Sequence, residues 1–265
     1  MISNGKFYES QFEEATIELL REAHWQYAFG DDIHRKYTDP LIEEDLRNFL
    51  TVQYKDKNLT TSEMDSIVAN LRNTGGQNDY YALRNAFLLY RDGYDFAYSD
   101  GRDNPFRLEY IDFEHPDHNI FRCVNQFVME QGRENRRPDI LLFINGIPVC
   151  IIELKNPTKQ NATIHDAHTQ ICTRYMRDIP ALLKYCALAV ISDGAKNALG
   201  TTYTPFEFFY EWKKIENEDK AGKGLDTLRT LIRGALSPER ILEILRDYVY
   251  FPDPTKEDDT TEIVC

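Results

Sequence analysis

Long apolar runs are missing from this sequence. Nothing approaches the roughly 18 consecutive apolar residues that a membrane-spanning helix needs, and the opening Met1-Ile-Ser-Asn-Gly-Lys6 lacks the apolar centre of a signal peptide. Cysteine is scarce and scattered. The thiols at positions 123, 150, 172, 186 and 265 form no Cys-x-x-Cys pair, and most sit in apolar contexts, which predicts reduced, buried thiols in a cytoplasmic protein. No internal repeat is visible. No Gly-x-x-x-x-Gly-Lys-Ser/Thr phosphate loop occurs, so this chain is not by itself an ATP-driven motor. Positive charge is in deficit too. A net charge of −13 argues against indiscriminate nucleic-acid binding, because affinity for DNA comes largely from neutralising phosphates.

What is present suffices for a core: 265 residues, 42% hydrophobic and 28% charged, enough for one large domain or two small ones. The chain is organised around Arg137-Pro138-Asp139, the apolar run Ile140–Ile144, Asn145-Gly146, the apolar run from Pro148, and Glu153-Leu154-Lys155. An Asn-Gly between two β-rich runs predicts a hairpin. Near-continuous apolarity predicts strands covered on both faces. Asp139, Glu153 and Lys155 then gather at one end. Glu153 and Lys155, two apart, project from the same face. Asp139 lies opposite Glu153 if the turn has an odd number of residues or a bulge intervenes. A three-residue loop, Asn145–Ile147, gives that register.

Two close carboxylates repel, and one of them would normally take up a proton. A divalent cation relieves the repulsion, and Mg²⁺ suits a few carboxylates, waters and phosphate oxygens. Such an ion polarises a phosphate and activates a water while Lys155 orients that water or offsets developing charge. Spacing alone leaves a second reading open: Asp139 caps a turn, and Glu153 and Lys155 form an exposed strand-end pair.

Pro138-Asp139, thirteen intervening residues, then Glu153-Leu154-Lys155 resembles the PD-(D/E)xK nuclease motif. The longer string is more specific: Asn125-Gln126, Arg137-Pro138-Asp139, Asn145-Gly146-Ile147-Pro148 and Ile152-Glu153-Leu154-Lys155-Asn156-Pro157. It resembles the amino-terminal nuclease domain of the restriction (R) subunit of type I restriction–modification enzymes. The resemblance implies an α/β restriction-endonuclease-like fold, a central mixed sheet flanked by helices, and Mg²⁺-dependent cleavage of double-stranded DNA. Asp139 and Glu153 would be metal ligands and Lys155 catalytic. It also implies a helicase-type ATP motor following this domain, so the chain is expected to be a fragment, and it implies methyltransferase and specificity subunits as partners. Its Gln-x-x-x-Tyr motif, thought to contact the DNA backbone, is matched by Gln170 and Tyr175. These are five apart, not four, which on a regular helix separates them by about 140°; either a local bulge restores the pairing or one residue alone keeps the role. An early helix of the family supplies an acidic metal ligand, best matched by Glu13. Two rivals stay open: a repair or recombination nuclease of the same fold, and an inert module that binds DNA or partner subunits.

Along the chain, Ser10 and Glu13 predict a capping box opening a helix, the alternative to the ligand role of Glu13. Helices are expected from Asp39-Pro40, from Thr61 and over Tyr80–Tyr90, as a helical insertion at about 38–92. Strands are expected at Arg107–Phe113, Asn119–Met129 and Leu188–Ser192, the last parallel to a central neighbour after a helix over Ile164–Met176. His115 and His118 have ligand-like spacing, but no second pair completes a zinc site, so both are read as loop residues. His165 and His168 read as a solvated helix face, and Asp193 as a turn residue. Leu225–Arg233 and Pro238–Tyr248, the latter capped by Ser237, close a domain spanning 1–252. A polar tail, 253–265, is predicted to be disordered. Around the hairpin the charge reverses: Arg133, Arg136, Arg137, Lys155, Lys159, Arg174 and Arg177 against four acids leave +3 over residues 131–177.

Overall fold

The structure, a computed structural model, describes the backbone of residues 4–155, 163–215, 222 and 224–253, with side chains from Ser10 on. The predicted tail lies almost wholly outside these residues, as do Asn156 and Pro157. In order the elements are α1 (Asn4–Glu22), β1 (Gln26–Phe29), α2 (Glu43–Gln53), α3 (Thr61–Asn73), α4 (Asp79–Asp92), β2 (Tyr94–Phe96) and β3 (Phe106–Leu108). There follow β4 (Phe121–Asn125), β5 (Met129–Gln131), β6 (Glu134–Arg136), β7 (Ile140–Ile144) and β8 (Ile147–Leu154). A helical crossover comes next: α5 (Ile164–Thr169), a π-helical turn over Gln170–Tyr175, α6 (Met176–Asp178) and α7 (Pro180–Leu183). Last are β9 (Leu188–Ser192), β10 (Asn197–Thr201), α8 (Leu225–Ala235) and α9 (Pro238–Glu243), which continues as a π turn over Ile244–Tyr248.

Six strands form the central sheet in the order β1-β4-β7-β8-β9-β10. It is mixed: β1 runs parallel to β4 and β8 parallel to β9, and the remaining pairs are antiparallel. The parallel step follows from the crossover between β8 and β9, as a helix-length connection requires. Alternate residues of β7 serve two cores. Ile140, Leu142 and Ile144 pack with α1, α2–α4 and α8, whereas Leu141 and Phe143 pack with the α5–α7 layer. Ile151 of β8 and Ala189 and Ile191 of β9 share that second layer. Helices on both faces explain why the central strands read as unbroken apolar runs.

The hairpin between β7 and β8 turns on two residues, not three. Asn145 and Gly146 both adopt positive φ, 50° and 77°, the pair of conformations a two-residue primed turn demands. Ile144 faces Ile147 and Phe143 faces Pro148; the register then slips, so that Leu142 faces Cys150 and Ile140 faces Ile152. Val149 is the extra residue of a β-bulge. The bulge, rather than a longer loop, supplies the odd residue. At Gly146 a Cβ would collide with the Ile42 carbonyl, and its own carbonyl accepts from Ile42 N at 2.9 Å, seating α2 on the turn.

Several expectations change. Helix α1 begins before Ser10, which therefore lies inside it and not at its N-cap. Asp39 and Pro40 precede α2, whose N-cap position is Ile42; Asp39 instead closes a small turn by accepting from Leu41 N. Arg107–Phe113 is not one strand: only Phe106–Leu108 pairs, with β2, in a separate two-stranded sheet. Likewise β4 ends at Asn125, because Gln126 takes positive φ (55°) and turns the chain, and Met129 opens another small hairpin with β6. Strand β1 is short and largely exposed, so its four residues carry no apolar pattern that predicts it. Ser237 occupies the N-cap position of α9 without a side-chain bond. The helices expected from Thr61 and around Tyr80–Tyr90 are α3, with its Thr60–Glu63 capping box, and α4. Among the described residues no helix is long and apolar enough to cross a membrane.

Candidate active site

Continuing the β7–β8 register by one pair sets Asp139 opposite Glu153. The Asp139 carboxylate accepts from Leu154 N at 2.7 Å, which locks the first acid to the end of β8. Glu153, on the same face as Ile151, points into the layer of α5–α7 and is 1% exposed. Its Oε1 accepts from Lys155 Nζ at 2.8 Å. Its Oε2 is buried with no hydrogen-bond partner of good geometry among the described residues. A half-satisfied carboxylate in a dry layer is costly. Burial, and then the neighbouring Asp139 charge, push the Glu153 carboxyl up to about 8 against the opposing pull of Lys155.

The π turn completes the arrangement. A regular α-helix would splay Gln170 and Tyr175 apart; one turn of i→i+5 spacing brings them onto the same side. Gln170 Nε2 donates to Tyr175 Oη at 2.6 Å, and Gln170 Oε1 accepts from Lys155 Nζ at 2.6 Å. Tyr175 is buried beside Glu153, and burial together with that carboxylate raises its hydroxyl far above its usual range. Lys155 is thus held by Glu153 on one side and Gln170 on the other. The five-residue spacing that departs from the Gln-x-x-x-Tyr pattern is accommodated by the helix itself.

Glu13 reaches the same end of the sheet from the opposite layer. Asn125 Nδ2 and Gln126 Nε2 each donate to its Oε1 at 2.8 Å. Asn125 faces Ile140, one residue from Asp139. Glu13 is therefore not a helix cap; amide side chains hold it. The sequence pointed to Asn125-Gln126 without giving the pair a task, and the structure supplies one.

Other residues singled out from the sequence sit elsewhere. Asp193 shapes the β9–β10 turn by accepting from the N–H groups of Ala195 and Lys196. His168 bonds the Thr204 carbonyl and packs on Phe206 and Phe209. The positive field is smaller than counted: buried Asp178, one residue beyond the window, binds both Arg136 and Arg177.

The donor set suits a hard divalent cation: two carboxylates at one end of the hairpin, one with a buried oxygen that has no hydrogen-bond partner of good geometry among the described residues. An ammonium on a mixed sheet's central hairpin and two acids beside it define an α/β protein with a restriction-endonuclease-like fold. Residues 6–208 match the family described as "Type I restriction enzyme R protein N terminus", and the chain belongs to that family. It is similar to the type I restriction enzyme HindI endonuclease subunit of Haemophilus influenzae, 29% identical over 92% of this chain and 24% of that protein. A putative type I restriction enzyme MjaIXP endonuclease subunit of Methanocaldococcus jannaschii is 28% identical over 89% of this chain and 25% of its own length. The chain spans about a quarter of these relatives.

Proposed function

We propose that this chain is the nuclease domain of a type I restriction enzyme R subunit and hydrolyses phosphodiester bonds of double-stranded DNA with Mg²⁺. One observation carries the reading: Lys155 and the partly unsatisfied Glu153 are paired at the strand end that Asp139 also occupies. Asp139 and Glu153 would hold the cation, which when bound polarises a phosphate oxygen and acidifies a water. Glu153 must first give up the proton that burial favours. Lys155, its ammonium fixed by Gln170, would orient the attacking water or offset charge growing on the phosphoryl oxygens. Gln170 and Tyr175 act here as positioning residues before any contact with DNA backbone.

The acidic chain depends on other elements for grip on DNA. In the full-length subunit an ATP-driven motor, with methyltransferase and specificity subunits, would supply it. The test is Mn²⁺ or Mg²⁺ calorimetry on this chain and on Glu153→Ala, paired with cleavage by the reconstituted complex carrying Lys155→Ala. Loss of metal binding in the first and of cleavage in the second supports the reading. Wild-type cleavage by Lys155→Ala refutes it, and folded wild-type chain that binds no divalent ion with or without DNA favours an inert module.

A further inference from the structure

The segment between β3 and β4 builds a second cluster of metal-ligating side chains, far from the carboxylate edge. Asp112 is buried, 4% exposed, and its Oδ1 accepts from the backbone N–H groups of Glu114 and His115 at 3.0 and 2.9 Å. These bonds coil the chain so that both following histidines turn back on the free oxygen. Asp112 Oδ2 lies 2.9 Å from His118 Nδ1 and 3.4 Å from His115 Nδ1. The two rings stack at 4.8 Å with 22° between their planes. Gln53 Nε2, from α2, donates to the same Oδ2 at 3.1 Å. Asn119 fixes the base of the loop, accepting from Asp112 N and donating to the Asp112 carbonyl.

Three potential donors thus converge on one carboxylate oxygen, two of them the same ring nitrogen of successive histidines. We propose that Asp112, His115 and His118 bind a transition-metal dication of the Zn²⁺ or Ni²⁺ class. The donor atoms all lie within 4.8 Å of one another. Ligands about 2.1 Å from a shared ion sit about 3.0–3.4 Å apart, and the two carboxylate–imidazole separations, 2.9 and 3.4 Å, lie close to that range. Two imidazoles and one carboxylate suit Zn²⁺, Ni²⁺ or Co²⁺ rather than Mg²⁺. Gln53 remains a donor to the ligating carboxylate, the outer support such sites use. Both imidazoles are at the surface, their side chains 64% and 48% exposed, so waters complete the coordination. Asn119 carries the effect inward: its Oδ1 also accepts from Asn145 Nδ2 at 2.8 Å, at the hairpin turn. An ion here would clamp that turn, at the end of β7 and β8 opposite Asp139 and Glu153.

The test uses the chelator-stripped chain with Zn²⁺ calorimetry, Co²⁺ visible absorption and thermal melting. Asp112→Asn risks misfolding, so the ligand variants are His115→Gln, His118→Gln and their double. One Zn²⁺ per chain is expected, with a rise in Tm. Affinity should fall at least about tenfold in either single variant and be unchanged in Glu153→Ala, which instead loses Mn²⁺. No stoichiometric Zn²⁺ binding by the wild type, or undiminished binding by the folded double variant, overturns the site.

Discussion

Gln170 and Tyr175, five positions apart, touch through a 2.6 Å hydrogen bond because the helix between them makes a single π turn. Through the other end of the same amide, Gln170 grips Lys155. The tyrosine hydroxyl fixes which way the amide faces, and the amide fixes the ammonium.

That chain of contacts separates two roles for Gln170. If it acts through Lys155, Gln170→Ala lowers kcat by about 10- to 100-fold with little change in KM for DNA. If it only grips the DNA backbone, KM rises and kcat holds. Tyr175→Phe, which keeps the buried ring and loses the hydroxyl, should cost less than Gln170→Ala. Single-turnover cleavage by the reconstituted complex distinguishes these outcomes.

Lys155→Ala should lower cleavage by at least about 100-fold and leave the fold intact. The lost ammonium leaves Glu153 without its charge partner, but that carboxyl is already held largely protonated by burial, so no bare buried charge results. Stability should drop by no more than about 2 kcal/mol, read by urea denaturation.

The hairpin end opposite the acids is the more fragile. Asn145 is fully buried, holds φ of 50°, and uses its whole amide: Oδ1 accepts from Ile120 N, and Nδ2 donates to the Tyr110 carbonyl and Asn119 Oδ1. Asn145→Ala orphans those buried partners and puts alanine in a left-handed conformation. A loss of about 3 kcal/mol or more is expected; denaturation within 1 kcal/mol of wild type (about a fivefold change in the equilibrium) would contradict it.

How much of this was legible is decided residue by residue. The hairpin was, because Asn-Gly between apolar runs leaves few alternatives; so was the parallel return of β9 after a helix-length crossover. The bulge at Val149 was not, since one more apolar residue in an apolar run changes no pattern. Helix α1 was cut short at Ser10 because a good local cap motif can sit inside a longer helix once packing supplies the stability. Arg107–Phe113 has strand-like composition, yet Tyr110 and Asp112 serve local turns and buried hydrogen bonds instead of a ladder. Asp112, three residues before His115 and six before His118, carries a signal that the spacing of the two histidines alone does not show. The π turn was half legible, as a spacing that no regular helix reconciles.

Glu153 makes the pH dependence specific. Its folded pKa is raised from 4.5 to about 8 by burial and by Asp139. Between those values the folded chain holds more protons than the unfolded one. The stability this contributes is fully present below pH 4.5 and is lost as pH rises through about 8, with a slope of at most about 1.4 kcal/mol per pH unit. In chelator, then, wild type should lose stability relative to Glu153→Gln across that window. A divalent ion bound by Glu153 must displace the proton, so below about pH 8 its binding should release up to one proton. Calorimetry at one pH in buffers of different ionisation heat measures that release. It should vanish in Glu153→Gln and shrink above pH 8; proton release that persists in Glu153→Gln would place the titrating group elsewhere.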